Sequence, residues 1–286
     1  MVNDYVNQVA RQSGSSFYFS FFSLPKPQRE AITAVYAFCR EVDDAVDQPG
    51  ANPAQAIAQW HQEINNTYDG KPSLPLTQSL HTAIENFQLS KEYFDGILTG
   101  VEMDLQKNRY PTFEALTQYC YHVAGEVGLL CMEIFGYRSE RLKNYAVKLG
   151  TAFQLTNILR DVKTDAQNGR IYIPQDDMAR FGVSEDQLLR WAAPTTSQWE
   201  GSPGWQNFQN LMAFETRRAR GYYHEASVLP TAAERPALRA AEIMHAVYEN
   251  ILDRIERYNY NVFAKPVRVP TPMKIFLALR AWWECR

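Results

Sequence analysis

Long apolar runs are missing from this 286-residue chain. None approaches the roughly 18 residues that carry a helix across a bilayer, and the opening MVNDYVNQVARQSGSS lacks the charged-then-apolar pattern of a secretory signal. A soluble, cytoplasmic protein is expected. Cysteine is scarce: Cys39, Cys120, Cys131 and Cys285 lie far apart with no C-x-x-C pair, which argues for reduced thiols over a disulfide framework or a zinc site. The histidines, His61, His81, His122, His224 and His245, show no H-E-x-x-H or related spacing and so offer no metal centre. Positive charge is not in excess either. A net charge of −3 provides no field for nucleic acid, so any anionic ligand must be met by local cations or metal ions. There is no G-x-G-x-x-G behind a strand, and no series of alternating strands with hairpin turns.

What is present is helical spacing of apolar residues, in a chain whose 45% hydrophobic content is ample for a large core. The pattern predicts an all-α protein with helices over about 26–47, 53–67, 75–88, 90–107, 111–135, 139–165, 203–229, 233–260 and 271–283. Punctuators such as DQPGANP, DGKPSLP and KPVRVPTP separate them. WAAPTTSQWEGSPGW (191–205) reads as a long surface loop, not a linker, because composition does not change across it; a single domain over 1–286 is expected. In the last predicted helix, Ile275, Phe276, Leu279, Trp282 and Trp283 form an apolar stripe. Such a stripe is expected to face the core, the alternative being an interfacial helix making peripheral contact with a membrane.

Two acidic edges interrupt this apolar regularity. In YAFCREVDDAVD, Asp43, Asp44 and Asp47 line one edge of a helix, where like charges at three- and four-residue spacing cost a few tenths of a kcal/mol per pair. In QLTNILRDVKTD, Gln154, Asn157, Asp161 and Asp165 advance by three, four and four residues along a second stripe. Carboxylates and amide oxygens suit a hard divalent cation, and Mg²⁺ characteristically binds one or two carboxylates together with water and phosphate oxygens. Two such edges meeting across a cavity would hold the ions and present them to a diphosphate.

Taken in order, SGSSFYFSFFSLP, YAFCREVDDAVD, YCYHVAGEVG, QLTNILRDVKTD and NGRIYIP resemble the squalene/phytoene synthase family over nearly the whole chain. YAFCREVDDAVD and EMDLQKNRYPTF are most similar to its bacterial presqualene diphosphate synthases of hopanoid biosynthesis. The resemblance implies the all-α isoprenoid-synthase fold with a central cavity between the two acidic helices. It implies Asp43, Asp47, Asn157 and Asp161 as Mg²⁺ contacts, with Asp44 and Asp165 assisting and Mn²⁺ as a substitute ion. Ser13, Gly14, Ser15, Ser16, Arg40, Gln154, Arg160 and Tyr260 are the implied prenyl diphosphate contacts. Gly14 departs from the serine frequent in relatives, which puts more weight on Ser16. Tyr36, Tyr121 and Arg160 are the implied catalytic side chains. Phe17, Phe21, Phe22, Tyr36 and Phe38 are candidates for one cavity wall, and Tyr121, Val123, Ala124, Gly125 and Val127 for a second.

The implied reaction joins two farnesyl diphosphates into the cyclopropyl product presqualene diphosphate. NADPH is not expected, and no obligate protein partner is implied. The alternatives are a phytoene synthase acting on two geranylgeranyl diphosphates, a squalene synthase that completes an NADPH-dependent reduction, a one-substrate terpene cyclase, and a non-catalytic scaffold relative. Localisation is expected to be cytoplasmic, or peripheral at the inner face of a membrane.

Overall fold

Prolines and small polar residues mark where the helices begin. The computed structural model describes residues 20–21, 23–47, 52–194 and 199–285, with Asp47 described by its backbone only. Behind Pro25 comes α1 (Lys26–Asp47). Asn52 accepts a hydrogen bond from the Gln55 amide, and Pro53 opens α2 (Pro53–Tyr68). Pro75 likewise opens α3 (Pro75–Phe87), which is followed by α4 (Lys91–Gln106). Thr112 caps α5 (Phe113–Cys120), which runs through a π turn at Tyr121–Gly125 into α6 (Glu126–Phe135). Ser139 caps α7 (Glu140–Gln167). The later elements are α8 (Gln175–Arg180), α9 (Glu185–Ala192), α10 (Trp205–Ser227), α11 (Arg239–Arg257) and α12 (Thr271–Glu284). Among the described residues there is no strand, only an isolated bridge between Arg109 and Ile171.

At 28 residues, α7 is about 42 Å long, and it is the axis of the molecule. It packs against α5, the π turn, α6, α9, α10 and α11, and buries residues such as Leu142, Tyr145, Leu149, Leu155, Ile158 and Val162. A helix contacted from so many sides has no single apolar face. Two glycines let the neighbouring wall come close: a Cβ at Gly150 would sit 2.5 Å from the Ala124 carbonyl oxygen, and one at Gly128 would sit 2.8 Å from that of Ala146. On the other side of the molecule, α1 packs on α2, α3, α4 and α6. With α6 touching both α1 and α7, the interior between these two long helices is bounded rather than filled.

The helix boundaries depart from the sequence pattern in four places. The predicted 111–135 helix carries the π turn in its middle. The 191–205 stretch contains the end of α9 and the start of α10, tethered by buried Trp191 and Trp205, and 195–198 fall outside the described residues. Helix α8 and helix α9 were absent from the prediction, being too short to show a period; for α9 the reciprocal Ser184–Gln187 capping box was the available signal. The 233–260 helix starts only at Arg239, because 231–238 form turns bonded through Thr231 and Glu234.

The last helix overturns an expectation. Its five-residue apolar stripe was expected to face the core, yet Ile275, Phe276, Leu279, Trp282 and Trp283 are all exposed. The face that packs on α11 carries Leu277, Ala281 and the following Cys285. This helix has apolar residues on two faces, and the smaller set is the one that fits the neighbour.

Candidate active site

Between α1 and α7 lies a cavity of about 1040 Å³, closed laterally by α6 and the π turn on one side and by α11 and the 266–271 loop on the other. Each long helix turns one stripe toward it. From α1 come Ile32, Val35, Tyr36, Cys39, Arg40 and Asp43; from α7 the stripe runs from Tyr145 through Leu149 and Phe153 to Gln154, Asn157, Arg160, Asp161 and Thr164. In both cases the residues toward the helix N-terminus are mainly apolar and those toward the C-terminus polar or charged. From Tyr145 to Asp161 the lined stretch of α7 rises about 24 Å. Val127, Cys131, Met132 and Phe135 continue the apolar lining from α6, as do Val123 and Ala124 from the π turn. The result is an amphipathic chamber for a ligand with a charged head and a hydrocarbon body.

The charged end is organised around Arg160. Its guanidinium grips the adjacent Asp161 with both prongs, Nε donating to Oδ1 at 2.8 Å and Nη2 to Oδ2. Burial works against the Arg160 charge, but the hydrogen bonds and attraction of Asp161 outweigh it and hold the group more firmly protonated than usual. Tyr248 on α11 lines the same end of the cavity beside Arg160 and Asn157, and its ring packs on Phe153 at 4.6 Å between centroids. Burial pushes the Tyr248 hydroxyl up, so it stays neutral. The Asn157 amide donates to Gln154 Oε1 at 3.3 Å, while Asn157 Oδ1 is buried with no hydrogen-bond partner.

Arg40 makes a looser pair of contacts, donating to Asp44 at 2.9 Å and approaching Asp43 at 4.0 Å. Asp43 and Asp44 are more than half exposed, and only Asp43 of the two lines the cavity.

A divalent cation fits this donor set. The orphaned Asn157 oxygen is one ligand in waiting. The Asp165 carboxyl is a second indication: burial, then Asp161 and Asp104, push its pKa up to about 7, a crowding that a cation would relieve. No three carboxylate, histidine or cysteine groups among the described residues converge tightly enough to hold a metal unaided. That is the arrangement expected where phosphate oxygens and water complete an Mg²⁺ shell.

Other expected site residues divide as follows. Tyr36 and Phe21 line the cavity, with their rings edge-on at 6.1 Å. Phe38 instead packs behind α1 on Trp60 and Phe94. Ser13, Gly14, Ser15, Ser16, Phe17 and Phe22 lie outside the described residues, as does the side chain of Asp47. Tyr121 does not line the cavity; it stands near Glu126, Glu92 and Lys143. Tyr260 does not line it either. With φ +60, it helps terminate α11, its amide donating to the Ile255 carbonyl at 2.9 Å.

The structure adds residues that sequence reasoning missed. Tyr248 sits on an apolar helical stripe with Met244, Val247 and Ile251, where it reads as core. Arg268 reaches the cavity from a segment that reads as punctuation, and Lys274 from the first turn of the last helix. Two residues before Tyr121, Tyr119 joins Tyr110 and Tyr172 in a stack with centroids 5.4 to 5.9 Å apart. Tyr172 donates to Asp104 at 2.5 Å, and Asp104 is one of the charges acting on Asp165. The aromatic cluster therefore abuts the acidic end.

The chain matches squalene/phytoene synthase over residues 10–274. It is 36% identical to a 15-cis-phytoene synthase of Synechocystis sp., across 96% of this chain and 82% of that one. Phytoene synthase 2 of Solanum lycopersicum is 34% identical, across 95% and 87%. Among solved structures, a dehydrosqualene synthase in complex with ligand superposes with a TM-score of 0.83 at 31% identity, covering 98% of this chain and 95% of that one. A squalene synthase from Alicyclobacillus acidocaldarius gives 0.78 at 27% identity, with coverage of 91% and 95%.

Proposed function

Because the chain belongs to the squalene/phytoene synthase family and has its all-α isoprenoid-synthase fold, we propose that it condenses two farnesyl diphosphates head to head into presqualene diphosphate. The observation that carries this reading is that Asp43 and Asp161, far apart in the chain, line one amphipathic cavity.

In this reading Asp43, Asn157 and Asp161 hold Mg²⁺, with Asp44, Asp47 and Asp165 nearby. When bound, the ion neutralises charge on the departing diphosphate. Arg160 and Arg40 would supply guanidinium donors to phosphate oxygens, and Gln154, accepting from the Asn157 amide nitrogen, would leave the Asn157 oxygen free for the ion. Breaking the allylic C–O bond sends its electron pair out with the diphosphate and leaves a cation at C1. The apolar walls, Phe21, Val127, Leu149 and Phe153 among them, exclude water from that cation. Tyr36 presents a ring face, and such a face stabilises a cation by about 0.5–2 kcal/mol. The C2=C3 double bond of the second substrate attacks C1, and loss of a proton closes the cyclopropane.

A second reading, condensation of two geranylgeranyl diphosphates, is favoured by the phytoene synthases among the relatives. Purified protein incubated with Mg²⁺ and either diphosphate, with and without NADPH, separates the two. Accumulation of a C30 cyclopropyl diphosphate from farnesyl diphosphate without NADPH is the expected result. Consumption of geranylgeranyl diphosphate alone, with a C40 product, overturns the farnesyl assignment, and a C30 hydrocarbon formed only with NADPH overturns the assigned end point.

A further inference from the structure

The chain leaves α11 through a tightly fastened turn. Asn259 and Tyr260 both hold positive φ, +52° and +60°, a conformation that non-glycine residues keep only where their surroundings enforce it. Here they do. Gln209 donates to the Asn259 carbonyl at 3.0 Å, and Asn261 donates to Glu200 at 3.3 Å while accepting from the Ala264 amide at 3.1 Å. Phe263 is fully buried against Phe208, Trp191, Trp205 and Trp199, the last stacked on it at 6.5 Å between centroids. Its carbonyl accepts from Lys163 Nζ at 2.8 Å.

That last contact ties the turn to α7. Lys163 stands about 200° round the helix from both Asp161 and Asp165, off the acidic stripe, and it does not line the cavity. Trp199 covers it, with the ammonium nitrogen 5.7 Å from the ring centroid. Three residues beyond Phe263, at Pro266, the chain begins to line the cavity, and it continues to do so through Thr271. Pro266 and Pro270 fix their own φ, and Val267 and Val269 are buried, so this stretch has little freedom to bend by itself. Where the Phe263 carbonyl is held, Arg268 is placed with it. Arg268 is the guanidinium that this loop brings to the cavity, and a fixed fork of donors suits phosphate oxygens.

We propose that Lys163 is a positioning residue for ligand binding: by clasping the Phe263 carbonyl beneath Trp199, it sets where Arg268 stands in the cavity and so how tightly the diphosphate group of a substrate is held. The clasp rests on the assignment of the cavity to prenyl diphosphates, but not on their chain length.

Calorimetric titration of the full-length protein with inorganic diphosphate in the presence of Mg²⁺, alongside steady-state kinetics on whichever prenyl diphosphate the wild type consumes, tests this. Lys163→Met is expected to weaken diphosphate binding and to raise KM about tenfold while kcat stays within about twofold, because the clasp acts on binding and not on the chemical step. Lys163→Arg can still donate to the carbonyl and stack on Trp199, and is expected to recover affinity to within about threefold of wild type. Arg268→Gln is expected to weaken binding about tenfold, and the double variant Lys163→Met with Arg268→Gln to bind no more weakly than Arg268→Gln alone, since nothing is left to position. Additive losses in the double variant overturn the proposal. So does a Lys163→Met protein that binds diphosphate as the wild type does, or one that loses melting temperature without losing affinity. Wild type that binds diphosphate yet consumes neither prenyl diphosphate fails the assigned reaction and not the clasp, which the titration judges by itself.

Discussion

The two acidic edges of the cavity are built in opposite ways. On α7, Asp161 is 36% exposed and clasped by both prongs of Arg160, itself 27% exposed. On α1, Asp43 and Asp44 are 51 and 59% exposed and meet Arg40 only through contacts three and four residues away on their own helix. Exposed pairs of that kind contribute about 0.2–1 kcal/mol, whereas hydrogen bonds to a charged group in a desolvated setting contribute about 1.5–3 kcal/mol. One edge is clasped in two-pronged fashion by a largely buried guanidinium, and the other meets its arginine through single-pronged, more exposed contacts. The comparison teaches that equal roles toward a metal need not mean equal roles in the fold.

Substituting the aspartates tests that asymmetry most strongly. Asp161→Asn is expected to lower turnover at least about 100-fold, by removing charge stabilisation at the departing diphosphate, and also to lower the melting temperature by several degrees, because Arg160 loses its carboxylate. Asp43→Asn is expected to lose activity on the same scale while its melting temperature stays within about 1 °C of wild type. Equal thermal shifts in the two variants would break the comparison. Arginine-to-lysine exchanges give the next largest separation. Arg160→Lys forfeits the two-pronged grip and is expected to reduce kcat/KM about tenfold more than Arg40→Lys, whose partners are single-pronged. Tyr248→Phe removes the hydroxyl that lines the cavity beside Arg160 and Asn157, so steady-state kinetics should show about a fivefold loss of kcat/KM with little change in melting temperature. A loss as large as that of Asp161→Asn would assign the Tyr248 hydroxyl to the chemistry itself.

Much of the cavity was legible because its two main walls are single helices. Arg40 and Asp43, like Gln154, Asn157 and Asp161, repeat at helical spacing, so each stripe declares itself without knowledge of the other. The junctions were not legible. Tyr248, Arg268 and Lys274 arrive from other elements, and nothing local distinguishes a cavity-lining tyrosine from a core one. Tyr121 lies in a motif whose π turn does reach the cavity through Val123 and Ala124, yet two residues along a helix is about 200°, enough to reverse the side a residue faces, and Tyr121 does not line it. The last helix illustrates a different limit. Periodicity shows that α12 has apolar faces, but which one meets α11 depends on the shape of the partner, and the face bearing smaller side chains won.

The widened turn at Tyr121–Gly125 works as a phase shifter. A π turn holds roughly one residue more than an α turn, so the chain beyond it is rotated by about 100° relative to an uninterrupted helix. With that extra residue, α5 can aim Tyr119 into the tyrosine stack while Val123, Ala124 and Val127 point into the cavity. Excising a single residue here, such as His122, would restore ordinary winding and set the two ends against each other. Either the aromatic stack or the cavity wall would have to turn away, so the extra residue lets one helix serve two masters.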